Sequence, residues 1–196
     1  MVTKEKGSSR GRPRAFDRDE AIATGQRLIH ERGYDGVSVA ELTDAMGIRP
    51  PSFYAAFGSK AGLYDLVLER WHDSGAIPFV RILKAGRPVA DALAELLEVA
   101  AELYARDDET RGCLVIEGTR SHDAPAREAA CRRNRDAEDL IRRFVGAHRP
   151  ELAGQVADFV SATLVGLSAK ARQGHDRERL LAIAELASSA VRHALD

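Results

Sequence analysis

Apolar residues recur every three or four positions along most of this chain, which is the spacing of an amphipathic α-helix. Leu93, Leu97 and Ala100, for example, share one side of the segment 88–105. Residues 112–119 include several β-branched side chains, but a lone strand has no partner for a sheet. The pattern therefore predicts an all-α fold. The predicted helices cover 17–32, 38–46, 50–57, 59–75, 79–85, 88–105, 112–119, 123–147, 150–173 and 177–194.

Residues 38–57 predict two short helices around a tight turn. Ser38 and Glu41 have the spacing of a capping box, in which each side chain bonds the backbone N–H of the other residue. Gly47 follows the first helix and accepts the left-handed conformation that ends a helix. Pro50 suits the first turn of the second helix, where its missing N–H is not needed. Helix, glycine turn and helix together are typical of a helix-turn-helix.

The second of these helices has an apolar face and an outward edge. Phe53 and Phe57 are four residues apart, so both can point into a core. The packing of two helices does not explain which residue types stand on the outward side of this helix. This outward edge consists of Arg49, Pro51, Ser52, Tyr54 and Ala55.

The segment 33–60 contains an ordered set of residues: Gly33-Tyr34-Asp35-Gly36-Val37-Ser38-Val39, then Glu41-Leu42, Gly47-Ile48, Phe53-Tyr54, Phe57 and Ser59-Lys60. This set resembles the N-terminal DNA-binding domain of TetR-family transcriptional repressors. The resemblance implies a domain at 15–60 that binds DNA, followed by a helical domain at 61–196 that binds a small-molecule effector and forms a dimer.

Three positions depart from the family pattern. The family commonly has Ser or Thr where this chain has Arg49, Gly at Pro51, and often His at Ala56. An arginine does not cap a helix as serine does. The start of the second helix must therefore rely on Pro50 and backbone geometry in place of a side-chain cap. A guanidinium instead stands at the end of the helix that enters DNA in this family.

The resemblance assigns the outward edge to the DNA major groove. An arginine there can make two hydrogen bonds to guanine O6 and N7, and the prolines offer apolar contact to a thymine methyl. Tyr54 and Lys60 are expected on phosphates, which position the protein without specifying sequence. The predicted DNA-binding residues are Arg10, Arg12, Arg14, Ser38, Arg49, Pro50, Pro51, Ser52, Tyr54 and Lys60.

Residues 1–14 predict a flexible basic arm. The whole chain has a formal net charge of −1, whereas this stretch carries five Lys or Arg residues against Glu5 alone. Arg10-Gly11-Arg12-Pro13-Arg14 resembles the core of an AT-hook, and a narrow minor groove attracts arginine. The alternative is a solvated tail that aids solubility.

Composition excludes several classes of protein. With 196 residues, 44% hydrophobic and 30% charged, the chain has the make-up of an ordinary soluble protein. No stretch is long and apolar enough to predict a membrane span or a signal peptide, so a cytoplasmic protein is expected. Cys113 and Cys131 are the two cysteines and belong to no CxxC or Cys/His cluster, so neither a metal nor a cofactor is expected.

The last two predicted helices carry long apolar stripes. In the TetR family the corresponding helices form a four-helix dimer interface, and 163–172 resembles that region. The resemblance therefore implies a homodimer through about 151–173 and 177–194, with Gly166 and the small residues 187–190 allowing close approach. The alternative is that these stripes only cover the chain's own core.

The resemblance also implies an effector pocket between helices of the second domain. Such a pocket needs apolar walls and a few polar groups. The candidate ligand-binding residues are Trp71, Tyr104, Cys113, Glu117, Arg120 and Phe144.

Three other functions compete with effector-controlled repression. Cys113 begins a short apolar helix after Gly112, and a helix N-terminus stabilises a thiolate, so a repressor that senses oxidants or electrophiles is one alternative. An architectural DNA-binding protein that uses the arginine arm without an effector is another. Cys113, His122 and Asp123 can also be written as a nucleophile, a base and its orienting group. No oxyanion signature accompanies that set, so no enzyme is expected.

Overall fold

The structure, a computed structural model, describes residues 17–196, and these residues form ten α-helices and no strand. The predicted all-α class is confirmed. The basic arm predicted at 1–14 lies outside the described residues. The helices are α1 (Arg18–Arg32), α2 (Val39–Met46), α3 (Pro50–Phe57), α4 (Lys60–Ser74), α5 (Phe79–Ile82), α6 (Val89–Tyr104), α7 (Leu114–Gly118), α8 (Ala124–Gly146), α9 (Ala153–Arg172) and α10 (Arg177–Leu195).

The predicted helix-turn-helix signals are confirmed in detail. Ser38 and Glu41 form both bonds of a capping box at the start of α2, with the Ser38 N–H donating to Glu41 Oε2 at 2.8 Å. Gly47 ends α2 with φ 65° and ψ 29°, the left-handed conformation in which a Cβ would be strained. Pro50 occupies the first position of α3.

Two predicted helices are longer than those observed. The segment 79–85 gives only α5, which ends at Ile82, where the Arg87 guanidinium donates to the Ile82 carbonyl at 3.1 Å. The segment after Pro150 first forms a tight turn, in which the Ala153 N–H donates to the Pro150 carbonyl at 3.4 Å. Because this turn closes over three residues, α9 begins at Ala153 and not at Pro150.

Buried apolar residues form two cores. The first core unites α1 to α4 with one residue of α7 and the first turns of α8, and the second unites α5, α6, α9 and α10 with the end of α8. The predicted domain boundary between residues 60 and 61 falls inside the first core, because Leu63 and Val67 of α4 belong to it. Buried side chains from both sides of this boundary pack together, and the boundary itself stays a prediction.

Two helices contribute to both cores. In α7, Leu114 packs in the first core and Ile116 in the second. In α8, Ala126 and Ala130 pack in the first core, whereas Ile141 and Val145 pack in the second. The two cores are thus joined through shared helices.

Large apolar side chains remain exposed on α9 and α10. Phe159 is 42% exposed and Val165 is 39% exposed. Leu186 of α10 is 73% exposed. The exposed side of each helix also carries small residues, Ala162 and Gly166 on α9 and Ala182 and Ala190 on α10.

Candidate nucleic-acid interface and effector cavity

Helix α3 buries its aromatic face and exposes the opposite one, as predicted. The rings of Phe53 and Phe57 pack edge to face with centroids 5.2 Å apart, and Phe53 is completely buried. Tyr54 is 51% exposed although its ring contacts that of Phe53. Pro50, Pro51, Ser52 and Ala55 are exposed as well.

Arg49 stands at the start of this exposed face. Its backbone is extended, with φ −88° and ψ 152°, and its side chain makes no capping hydrogen bond to α3. The prediction that Arg49 does not cap the helix is therefore confirmed. Its exposed guanidinium is available to an external acceptor.

Ser38 and Lys60 are already engaged within the protein. The Ser38 hydroxyl donates to Glu41 Oε2 at 2.7 Å and accepts from the Glu41 N–H at 3.2 Å. Lys60 Nζ donates to the Tyr34 carbonyl at 2.6 Å and lies 4.0 Å from the centroid of the Tyr34 ring. Burial lowers the pKa of Lys60, against the raising effect of nearby carboxylates. The single hydroxyl hydrogen of Ser38 is engaged, whereas the Lys60 ammonium has three N–H donors and uses one of them on Tyr34. The contact of either residue with DNA stays a prediction. The arm residues Arg10, Arg12 and Arg14 lie outside the described residues.

A cavity of about 600 Å³ lies between α4, α5, α8 and α9. Three candidate ligand residues, Trp71, Tyr104 and Cys113, line it. Its walls are mainly apolar and aromatic, and polar and charged residues complete the lining. A concave, largely apolar space of this size is typical of a small-molecule site. Further lining residues include Leu68, Ile77, Phe79, Ile116, Leu140, Ile141 and Leu164.

The other three candidates do not line this cavity. Glu117 pairs with Arg120 at 2.8 Å and lies 3.5 Å from the Arg172 guanidinium. Phe144 is buried in the second core. These side chains therefore form ion pairs or core packing within the protein, at positions outside the cavity lining.

Cys113 is half-buried at the cavity wall. Its backbone N–H donates to the Ser168 hydroxyl of α9 at 2.9 Å. Burial raises the pKa of the Cys113 thiol, although the N–H groups of Ile116 and Val115 and the Tyr104 hydroxyl act against this. The thiolate, which is the reactive form, is thus disfavoured at neutral pH.

The segment 112–122 touches both the cavity and the first core. Its residues Cys113, Val115 and Ile116 line the cavity. On the other side, His30 Nε2 lies 3.1 Å from the Gly112 carbonyl. Since a carbonyl only accepts, this nitrogen carries the hydrogen and donates it.

The His30 ring is held neutral in this contact. Burial, together with the neighbouring positive charge of Arg172, lowers the pKa of His30 from 6.5 to about 4, although the hydrogen bond to Gly112 acts to raise it. Gly112 has φ 81°, and a Cβ there would lie 2.9 Å from Ser168 Oγ. The close approach of the Gly112 backbone to α9 therefore requires glycine.

Three more hydrogen bonds tie this segment to the helix-turn-helix core. The Tyr64 hydroxyl of α4 donates to the Leu114 carbonyl at 3.3 Å. Asp35, in the turn before α2, accepts from the Ser121 hydroxyl and the His122 N–H, each at 2.8 Å. Burial acts to raise the pKa of Asp35, but these hydrogen bonds outweigh it and lower the pKa to about 2.

The three residues weighed for catalysis serve other purposes. His122 Nδ1 lies 3.1 Å from Asp35, and the Asp123 carboxylate accepts from the Ala126 N–H at 3.0 Å as the cap of α8. Cys113 faces the cavity. The structure therefore does not arrange Asp123 to orient His122 as a base.

Residues 17–196 lack the features of a membrane span and of a metal site. Within that range no helix has the length and apolarity needed to cross a membrane. The same residues contain no group of three or more His, Cys, Asp or Glu side chains positioned to hold a metal ion.

Comparison with known proteins gives consistent relatives. The sequence model of the family described as "Bacterial regulatory proteins, tetR family" matches residues 21–67. The chain is 45% identical to the HTH-type transcriptional repressor BdcR of Escherichia coli (strain K12) over 196 residues, the full length of both. It is 30% identical to the HTH-type transcriptional repressor ComR of the same organism over 187 residues, 90% of this chain and 89% of that one.

Among solved structures, a cysteine mutant of the TetR family transcriptional regulator CifR has the same fold. It superposes with a TM-score of 0.80 at 34% identity and covers 91% of this chain and 99% of its own. That protein is complexed with 26bp double-strand operator DNA. The match spans both cores, so it extends well beyond the helix-turn-helix.

Proposed function

This chain belongs to the TetR family of DNA-binding transcriptional repressors, a class without enzymatic activity, and we propose that it acts as a homodimer that a small molecule releases from a palindromic operator. The observation that carries the proposal is the segment 112–122. It lines the cavity on one side and contacts the helix-turn-helix core on the other.

The DNA-reading surface is the exposed face of α3 and its leading residue. Arg49 is proposed to contact a guanine, with Ser52 beside it and Pro50 and Pro51 against a thymine methyl. Tyr54 is proposed to contact phosphate. Lys60 joins it through the N–H donors that its bond to the Tyr34 carbonyl leaves over, whereas Ser38 joins it only if its bond to Glu41 is exchanged for one to a phosphate oxygen. The arm that carries Arg10, Arg12 and Arg14 would then lie in the adjacent minor groove.

The dimer is proposed to form through α9 and α10. Phe159 of α9 and Leu186 of α10 expose large apolar surface there, and the exposed small residues Ala162 and Gly166 lie on the same side of α9 as Phe159, which allows helices to approach closely. Contiguous exposed apolar surface is typical of a protein interface. A two-fold dimer would place two α3 helices about one DNA turn apart, roughly 34–36 Å.

Effector binding is proposed to act through a change in the 112–122 segment. A ligand that displaces Cys113 or Ile116 would also move Gly112 and its hydrogen bond from His30. Because His30 belongs to α1 and Asp35 precedes α2, such a shift changes the position of the DNA-reading helices. Effector binding then weakens operator binding, and operator binding weakens effector binding to the same extent, through a coupling free energy between the two sites.

A second candidate function is supported by the position of Cys113. Cys113 lines the cavity and its backbone N–H donates to Ser168 of α9, so covalent attachment of an electrophile there would act like a bound effector. An architectural role without an effector is less well supported, because it has no use for the second core and its cavity.

Since the target is chromosomal DNA, the cytoplasm is the proposed compartment.

Footprinting on DNA that flanks the protein's own gene tests the proposal. Purified protein is expected to protect one interrupted palindrome, and an isolated half-site is expected to bind at least tenfold more weakly than the whole site. Equal affinity for the flanking DNA and for random DNA would contradict operator recognition. Equal affinity for the half-site and whole site would contradict the dimer.

A further inference from the structure

We infer that the cavity takes an amphipathic anion, a molecule with an apolar body and a carboxylate or phosphate head. The inference rests on the proposed function, in that the cavity is taken to be the effector site. It is carried by the lining itself, where aromatic and aliphatic walls meet three cationic side chains: Arg81, Lys84 and Arg133.

Arg133 is the most informative of these cations. Helix α8 contains six arginines, and Arg133 alone among them is half-buried while the other five are exposed. Its neighbours Arg132 and Arg135 pair with Glu128 at 3.7 and 3.2 Å. Arg133 makes neither an ion pair nor a hydrogen bond with any residue in 17–196. A partly desolvated guanidinium without a counter-charge gains free energy from any anion placed beside it.

Arg81 and Lys84 extend the positive charge along the cavity rim. Both side chains are exposed, and neither forms an ion pair within the described chain. They lie in and just after α5, opposite α8, so the cavity has cations on both sides. An anionic head between them would be neutralised from two directions.

The carboxylates of the lining do not reverse this preference. Glu138 Oε1 accepts hydrogen bonds from Asn134 Nδ2 at 2.8 Å and from the Ser161 hydroxyl at 2.7 Å, and both donors line the cavity. Asp136 is exposed at the rim. One carboxylate is thus already engaged by neutral donors, whereas three cations are without acceptors.

The body of the ligand is apolar. Trp71, Phe79 and Tyr104 supply aromatic surface, and Ile116 and Leu164 supply aliphatic surface. A volume of about 600 Å³ accommodates a molecule of drug-like size. A small inorganic anion would leave most of that volume unfilled.

Displacement of N-phenyl-1-naphthylamine, a neutral dye that fluoresces in apolar sites, tests the inference on the full-length protein. Trp71 is the single tryptophan and lines the cavity, so quenching of its emission reports binding there independently. The competitors are decanoate, decyl phosphate, 1-decanol and decylamine, all below their micellar concentrations. Decanoate or decyl phosphate is expected to displace the dye at about one tenth of the decanol concentration or less, since a charge-assisted hydrogen bond adds at least that factor. The more potent of the two identifies the head group.

Arg133→Gln should remove most of this difference between decanoate and decanol while leaving dye affinity unchanged, which also shows that the cavity is intact. Arg133→Lys should restore part of it. Arg132→Gln, on the adjacent exposed and paired residue, is the matched control and should behave as the wild type. Decanol or decylamine binding as tightly as both anions, or an unchanged preference in Arg133→Gln, would overturn the inference.

The same titration separates this inference from the proposed function. Anions that bind in an Arg133-dependent manner and also release operator DNA support both. Anions that bind in this manner but leave operator affinity unchanged support the ligand class and contradict effector control. Release of operator by decanol alone supports effector control and contradicts the ligand class.

Discussion

Arg172, the last residue of α9, donates a hydrogen bond from its guanidinium to the backbone carbonyl of His30 at 2.6 Å. That carbonyl belongs to the last turn of α1, where the helix dipole also interacts favourably with a positive charge. The contact joins the helix proposed to form the dimer directly to the helix-turn-helix core.

Arg172→Met is therefore expected to weaken the connection between the two cores. The variant keeps an unbranched apolar stem but loses charge-assisted hydrogen bonds, so the free energy of unfolding should fall by about 1.5–3 kcal/mol. Urea denaturation at fixed protein concentration measures this. Lys170→Met on the same helix is the control, because Lys170 is exposed and bonds only Gln173. Equal stability of both variants would contradict a structural role for Arg172.

Arg49→Ala is expected to reduce operator affinity by about 1–3 kcal/mol and to relax the preference at one base pair of each half-site. The reason is the exposed guanidinium at the start of α3, which makes no capping bond of its own. Fluorescence anisotropy on operators with single base-pair changes measures both effects. Arg132→Ala, in α8, should leave affinity unchanged. If Arg49→Ala lowers affinity for random DNA equally, the residue contacts phosphate only.

Gly166→Leu is expected to weaken the dimer at least tenfold. Gly166 is exposed and a Cβ there meets no atom within 4 Å in the protomer, so the main clash expected for leucine is with a partner across the proposed face. Gly154 has the same open surroundings but lies roughly 120° away around α9, from 3.6 residues per turn. Gly154→Leu is thus the matched control, and sedimentation equilibrium compares the two. A weaker dimer in Gly154→Leu alone would place the interface elsewhere.

Stability should fall in mild acid because of His30. Burial lowers its pKa to about 4 in the folded chain, against 6.5 for an unperturbed histidine. Above about pH 6.5 both states leave the ring neutral and the contact with Gly112 contributes fully. Between pH 6.5 and 4 only the unfolded chain takes up the proton, so the contribution declines by up to about 1.4 kcal/mol per pH unit and levels off below pH 4.

His30→Gln should flatten this part of the pH profile of unfolding, and the exposed His72→Gln should leave it unchanged. Profiles that remain parallel in wild type and His30→Gln would show that other groups cause the acid sensitivity.

Alkylation of Cys113 is expected to be slow and to release DNA. A Cys131→Ser background leaves Cys113 as the single thiol of the chain. Because burial raises the pKa of this thiol, N-ethylmaleimide at pH 7 should label it more slowly than it labels glutathione. Mass spectrometry follows the labelling, and anisotropy follows operator binding. Labelled protein that still binds operator with full affinity would contradict coupling through this wall of the cavity.

Local signals predicted the helix-turn-helix to within a residue or two. Its caps depend on neighbours in sequence: Ser38 with Glu41, Gly47 through its own backbone angles, and Pro50 through its missing N–H. The α5 and α9 boundaries were less accurate, because the contact that ends α5 and the turn that precedes α9 carry no local signature.

The connection between the cores was not predicted, since each of its bonds joins residues far apart in sequence. Asp35 lies within the segment that resembles the family, yet nothing in its neighbourhood indicates Ser121 as its partner. Arg133 was likewise hidden in a densely charged stretch of α8, where only the fold distinguishes the arginine that turns toward the cavity. Glu117 and Arg120 have the composition of pocket residues but pair with each other.

Because α7 and α8 belong to both cores, we expect the protomer to unfold as one cooperative unit. Unfolding the first core would remove the packing around Leu114 and Ala126 on helices that the second core needs, and the reverse holds for Ile116 and Ile141. A fragment ending after α4 would lack part of its own core. The free energy of a ligand bound in the cavity is therefore expected to stabilise the whole chain, including the helices proposed to contact DNA.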